Sequence, residues 1–154
     1  YLTGSYVRDK DGVDGAYMIC EMFSYYATQG ISLLDKLDEL YKTYGYCLNT
    51  LPSYEFDGSA GFARMQSIMQ AFRGGIKEFG GKKVVRLLDY VQGLDGLPKS
   101  DVLKFLLEDN CSLVVRPSGT EPKLKIYISV SAENKEMAEE VEDEIAKTAE
   151  KWIC

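Results

Sequence analysis

The chain has 154 residues, 45% hydrophobic and 27% charged, with 24 acidic against 18 basic side chains and no histidine. That is enough apolar material for a core and too much for a disordered tail, yet no apolar run approaches the ~18 residues that span a bilayer. The pI near 4.8 argues against a broad nucleic-acid surface, and the absence of His removes the commonest general base and metal ligand.

Cys20, Cys47, Cys111 and Cys154 lie far apart with no CxxC pair, which suits free thiols in a reducing, cytoplasmic compartment rather than a disulfide framework or zinc site. With Tyr1 at its start and no signal-peptide pattern in its first residues, the chain is expected to be a piece of a longer polypeptide. The negative charge is uneven. Residues 131–154 carry eight acids and three bases, a net −5 out of −6 for the chain.

Two helices are predicted first. From Val13, Ala16, Cys20, Phe23 and Ala27 recur at helical spacing, widened by Ile19 and Tyr26, after an Asp11-Gly12 turn and before Gly30. Ser32 with Asp35 three residues on resembles a capping box, and Leu34, Leu37, Tyr41 and Tyr44 then form a second stripe closed by Gly45. So short a pair cannot bury its own apolar faces. Residues 46–61 hold Asn49, Pro52, Ser53, Asp57, Gly58, Ser59 and Gly61, which reads as a loop, and a domain boundary is placed between residues 50 and 51.

Phe62, Met65, Met69 and Phe72 predict a helix ending before Gly74-Gly75, with these side chains as core rather than a cofactor box. Val84, Val85, Leu87, Leu88 and Tyr90 suit a strand between Gly80-Gly81 and Gly93. Val102 to Leu107 is apolar and short, so periodicity leaves its type open. Leu113 to Arg116 reads as a short strand. Leu124, Ile126, Ile128 and Val130 alternate with Lys125, Tyr127 and Ser129 as a half-buried strand. Met137, Val141, Ile145, Ala149 and Trp152 draw a last helical stripe, its acids early and Lys147 and Lys151 late, as the macrodipole favours. The fold class is α+β: an antiparallel sheet with flanking helices on one face, preceded by a helical remnant.

Between the last two strands lies Arg116-Pro117-Ser118-Gly119-Thr120-Glu121-Pro122-Lys123. Arg116 offers a planar fork that matches two phosphate oxygens. Ser118 and Thr120 offer hydroxyl donors, and Gly119 between them lets backbone amides approach an anion. Pro117 and Pro122 stiffen the ends, lowering the ordering cost of binding. Lys123 and Lys125 add positive charge against Glu121. An ordinary hairpin with turn residues accounts for the same string, and from the residues alone the two readings stand level.

This string, followed by an Ile-Tyr strand, resembles the C-terminal phosphate-binding loop of the α-D-phosphohexomutases, the phosphoglucomutase/phosphomannomutase family. The stretch Tyr6-Val7-Arg8-Asp9-Lys10-Asp11-Gly12-Val13, with the helix to Glu21-Met22, is similar to the end of that family's third domain. The resemblance implies that residues 1–50 are the last helices of domain three and 51–154 the smaller, mobile fourth domain. It also implies that Arg116, Ser118, Gly119 and Thr120, with Lys123 and Lys125 as weaker candidates, hold the sugar-phosphate group not being transferred. The family interconverts hexose 1- and 6-phosphates through a phosphoserine and a hexose 1,6-bisphosphate, with Mg2+. The serine, the aspartate-rich metal loop and the sugar-hydroxyl loop of the family do not occur in this sequence. The chain is therefore expected to bind phosphate, to contain no catalytic residue, to be inactive alone, and to partner the missing N-terminal domains but neither nucleic acid nor membrane.

Asp9, Asp11 and Asp14 suggest a hard-cation site, but D-x-D-G-x-D lacks the terminal bidentate Glu of an EF-hand loop, so turn and N-cap duty is preferred. Arg8 and Lys10 could face the cleft of a complete enzyme. A second reading, from another class, is a non-catalytic anion- or RNA-binding α/β module; against it stand the pI and a sheet whose outward positions offer only Tyr127 for stacking.

Overall fold

The computed structural model describes residues 3–4, 9–58 and 60–154. The sequence expectations that fall on Tyr1, Tyr6, Val7, Arg8 and Ser59 lie outside the described residues. The chain divides into two compact units, residues 1–44 and 45–154. Among the described residues no helix is long and apolar enough to cross a membrane.

The first unit holds α1 (Gly12–Ala27) and α2 (Leu33–Tyr44). Asp11 is the N-cap of α1, its carboxylate accepting from the amides of Val13 and Asp14, each at 3.0 Å. Asp14 accepts the Thr3 hydroxyl at 2.8 Å, and Asp9 pairs with Lys10 at 2.9 Å. The three aspartates thus do capping and local pairing rather than converging. The capping box at α2 forms in both directions: the Asp35 amide donates to Ser32 Oγ at 3.1 Å, and the Ser32 amide donates to Asp35 Oδ2 at 3.0 Å. The Ser32 hydroxyl, which donates to Asp35 Oδ2 at 2.6 Å, and then the Ser32 amide hold the Asp35 carboxyl below its ordinary pKa. The apolar faces stay uncovered, with Val13 and Tyr44 each 82% exposed and no residue of α2 buried.

In the second unit, β1 (Tyr46–Thr50), β2 (Ser53–Glu55), α3 (Ala60–Arg73), β3 (Glu78–Phe79), β4 (Lys82–Asp89), β5 (Leu103–Leu107), β6 (Ser112–Pro117), β7 (Lys123–Ala132) and α4 (Lys135–Glu150) follow in chain order. The sheet runs β1-β7-β6-β5-β4-β3, every pairing antiparallel, with β2 sharing the β7 edge with β1. The loop predicted over 46–61 is therefore corrected. Residues 46–50 and 53–55 are two short edge strands, laid end to end along β7 from Ala132 to Lys123. The division between units falls at 44/45, ahead of the 50/51 boundary read from sequence, because β1 belongs to this sheet.

Strand alternation makes one face of the sheet the core. Leu103 and Phe105 on β5, Leu113 and Val115 on β6, and Leu124, Ile126, Ile128 and Val130 on β7 are buried in matching register, Leu103 opposite Val115 and Val115 opposite Ile126. Helices α3 and α4 cover that face. Met65, Ile68, Met69 and Phe72 descend from α3, and Ala138, Ile145 and Ala149 from α4. Phe79 and Phe105 meet edge-on at 5.1 Å between ring centres.

Two side chains of the predicted α4 stripe are placed differently. Met137 and Trp152 are 44% and 42% exposed, and Ala138 and Ile153 take the buried positions. Past Glu150 the chain tightens: the Trp152 amide donates to the Ala149 carbonyl and the Ile153 amide to Glu150. These three-residue steps turn Ile153, rather than Trp152, onto the core. On β4 a bulge between Val84 and Arg86 turns Val85 outward.

Candidate functional site

The hairpin between β6 and β7 is built for shape by its own backbone. Arg116 pairs with Lys125 and Pro117 with Leu124. The Ser118 amide donates to the Lys123 carbonyl and the Lys123 amide to the Glu121 carbonyl, both at 2.7 Å. Ser118 Oγ accepts from the amides of Thr120 and Glu121, each at 3.4 Å, folding the tip over its own hydroxyl. Gly119 keeps an ordinary φ, outside the positive region, and a Cβ built there would meet nothing within 4 Å. The loop's own packing does not call for a glycine at 119.

Arg116 and Lys125 stand directly opposite one another on the face away from the core, since Val115, Leu124 and Ile126 are buried on the other. Like charges in register across a strand pair repel, and neither side chain has an ion-pair or hydrogen-bond partner among the described residues. Lys123 differs. Its ammonium pairs with Glu55 at 2.7 Å. That hydrogen bond holds Lys123 above and Glu55 below their ordinary pKa values. Glu55 reaches it because β2 pairs with the first residues of β7, and the Phe56 amide donates to the Pro122 carbonyl at 2.9 Å.

The loop opens on a cleft of about 410 Å3, where Arg116, Pro117, Ser118 and Gly119 face Phe62, Met65 and Gln66 of α3 and the segment Ser100–Val102. The structure thus brings Arg116, Ser118 and Gly119 together on one cleft, leaves Thr120 exposed at the tip, and sets Lys123 and Lys125 along β7 outside it. Sequence reasoning missed Gln66, Ser100 and Asp101. Nothing local marks them, because helix packing on the sheet is what carries them to the loop.

At the cleft's edge, Arg73 Nε donates to Asp89 Oδ2 at 2.8 Å and its Nη2 to Asp101 Oδ1 at 2.6 Å. The Arg73 hydrogen bond holds the Asp89 carboxyl below its ordinary pKa against a smaller, opposing effect of burial. A carboxyl lowered in the folded chain stabilises fully above its unfolded pKa of about 4, and loses that contribution as pH falls through its folded value. Asp89→Asn is therefore expected to cost about 1 kcal/mol at neutral pH and close to nothing in strong acid. Urea titrations at pH 7 and pH 2.5 check this, and an equal loss at both would assign the effect to packing.

An antiparallel sheet with both helices on one face, carrying a cationic hairpin beside an open cleft, defines the class: an α+β domain with a cleft at the sheet's end. The chain belongs to the phosphoglucomutase/phosphomannomutase family, residues 56–148 matching the family model described as phosphoglucomutase/phosphomannomutase, C-terminal domain. The phosphoglucomutase of Staphylococcus aureus strain MSSA476 is 36% identical over 146 residues, covering 87% of this chain and 26% of that protein. The phosphoglucomutase of Staphylococcus saprophyticus is 31% identical with the same coverage. The crystal structure of the exocytosis-sensitive phosphoprotein pp63/parafusin (phosphoglucomutase) from Paramecium, in its open form, matches 96% of this chain and 27% of its own at a TM-score of 0.59 and 17% identity, a likeness of fold. The chain spans about a quarter of the length of the curated relatives it matches.

Proposed function

We propose that this chain is the substrate-phosphate-binding part of a phosphohexomutase, an enzyme that interconverts hexose 1- and 6-phosphates. The observation that carries the reading is the unneutralised pair of cations, Arg116 and Lys125, set in register at the mouth of a glycine-containing loop. A phosphate dianion between or beside them relieves a repulsion that the fold otherwise sustains. In this reading Arg116, Ser118, Gly119 and Thr120 grip the phosphate that is not being transferred, and Lys125 adds field. Lys123, already paired with Glu55, chiefly fixes the loop's exit. Unit 45–154 is the mobile phosphate-binding domain, and α1 and α2 are the last helices of the domain before it.

The reaction we propose for the whole enzyme passes a phosphate from a phosphoserine to the sugar and recovers the other one from a hexose 1,6-bisphosphate. The loop must then accept either end of that intermediate. It does so by reading charge and oxygen geometry rather than the sugar. Closure of this domain would exclude the water that could intercept the phosphoenzyme. A magnesium ion would supply Lewis-acid stabilisation to the transferring phosphate. Among the described residues no group of three or more His, Cys, Asp or Glu is placed to hold a metal, so such an ion would take its ligands from elsewhere in the enzyme. In this reading the chain alone binds and does not turn over. Residence in the cytoplasm belongs to the same reading, and the free cysteines suit its reducing conditions.

Titration of the chain with inorganic phosphate, followed by amide NMR, tests the site. The expected result is saturable shifts clustered on residues 116–123, with an affinity that falls as salt is added. Shifts clustered elsewhere would reduce the loop to a hairpin turn.

A further inference from the structure

Two charged residues line the cleft, and they have opposite signs: Arg116 at the start of the loop and Asp101 on the facing wall. A bare Asp101 carboxylate would repel any dianion held by the loop. We propose that Arg73 keeps this cleft receptive to phosphate by neutralising Asp101, a role that rests on the phosphate-binding reading of the loop.

Arg73 ends α3 and is only 17% exposed, so its charge is directed at what it touches. One guanidinium serves both acids: Nε and Nη2 approach Asp89 Oδ2 and Oδ1 at 2.8 and 3.4 Å, while Nη2 also meets Asp101 Oδ1 at 2.6 Å. Gln66, itself a lining residue, donates from Nε2 to the remaining Asp101 oxygen at 3.5 Å. Both Asp101 oxygens therefore have a donor. A lysine would supply the charge without the planar fork that spans two carboxylates.

The pairing is not needed to close the chain between β4 and β5. The Tyr90 amide donates to Val102, the Ser100 amide to Tyr90 and the Val102 amide to Ser100, all at 2.9–3.0 Å. With the neck of that loop held by its backbone, what Arg73 adds at Asp101 is charge. Arg73 is thus a positioning residue in the electrostatic sense: it touches no phosphate, but sets the potential the phosphate meets.

Phosphate titrations by amide NMR at low ionic strength, on the 154-residue chain, separate this role from a structural one. Arg73→Met should weaken phosphate binding roughly three- to tenfold, as one unneutralised carboxylate several ångströms from the anion requires. Arg73→Lys should retain most of the affinity. Adding Asp101→Asn to Arg73→Met should restore it, whereas adding Asp89→Asn, the same change in net charge outside the cleft lining, should restore less. Unchanged affinity in Arg73→Met, no rescue by Asp101→Asn, or equal rescue by both substitutions overturns the proposal. If Arg73→Met does not fold, Asp101→Asn with Arg73 intact decides: affinity within about twofold of the unsubstituted chain supports a carboxylate already neutralised, and tightening of about three- to tenfold, the effect of a bare carboxylate, overturns it. Absence of loop shifts in the unsubstituted chain would instead remove the phosphate reading itself, and this inference with it.

Discussion

Gly80→Ala is expected to destabilise the second unit by roughly 2–5 kcal/mol, against roughly 1–2 kcal/mol for the same change one residue later. Gly80 and Gly81 are the two central residues of the hairpin joining β3 to β4, where Phe79 pairs with Lys82. Both have positive φ, +54° and +75°, as a type I′ turn demands. Any L-residue with a side chain pays about 1–2 kcal/mol for that conformation. At Gly81 the added Cβ meets nothing within 4 Å, so the cost stops there. At Gly80 it would lie 2.6 Å from the backbone of Glu144 and Ile145 on α4, atoms that cannot swing aside. The turn must lift off the helix, adding about 1–3 kcal/mol of overpacking and straining the Gly80 amide's 3.1 Å bond to Thr148 Oγ1. Urea unfolding of the two alanine variants is the measurement. Equal losses would mean that the approach of the turn to α4 carries no stability.

That contact illustrates which parts of the molecule were legible in the sequence. The glycine pair marked where a strand begins, because such breakers act locally, but nothing in the sequence said that they form a turn resting on α4. The same division runs through the sheet. Leu124, Ile126, Ile128 and Val130 declared β7 by alternation alone, and every one is buried. Its neighbours β1 and β2 were hidden. Each is short, and Pro52 between them breaks any continuous pattern, yet they form because β7 is long enough for both to pair along it. The segment 102–107, undecided by periodicity, becomes β5 for the same reason: β4 and β6 on either side satisfy its backbone groups.

The candidate site divides the same way. The residues proposed to grip phosphate stood out in the sequence because eight consecutive positions carry them, and a loop needs no tertiary information to be contiguous. The wall opposite was not. Gln66 reads as a polar position on an amphipathic helix, and Asp101 as a solvated acid beside a strand. They meet Arg116 and Ser118 only because α3 packs its Met65 and Met69 face on the sheet. Glu55 escaped for a related reason, lying in the stretch read as loop, although it fixes Lys123.

Arg116→Ala is expected to weaken phosphate binding ten- to a hundredfold. The substitution removes a charge-assisted hydrogen bond worth about 1.5–3 kcal/mol and leaves Lys125 as the only one of the two facing cations. It costs the fold little, because Arg116 is exposed and has no intramolecular partner among the described residues to lose. Relief of its repulsion with Lys125 should leave stability unchanged or slightly raised. This opposition of sign, weaker binding with no loss of stability, separates a ligand-binding arginine from a structural one. Arg116→Lys should recover only part of the affinity, since it keeps the charge but not the fork. In the complete mutase proposed above, Arg116→Ala should lower kcat/KM by a similar factor, with the loss divided between the two constants, because the grip that binds the phosphate also orients the sugar for transfer. Phosphate titration of the chain and kinetics of the full enzyme give independent readings. Unchanged affinity in the first, together with unchanged kinetics in the second, would leave the Arg116–Lys125 pair without a ligand to explain it.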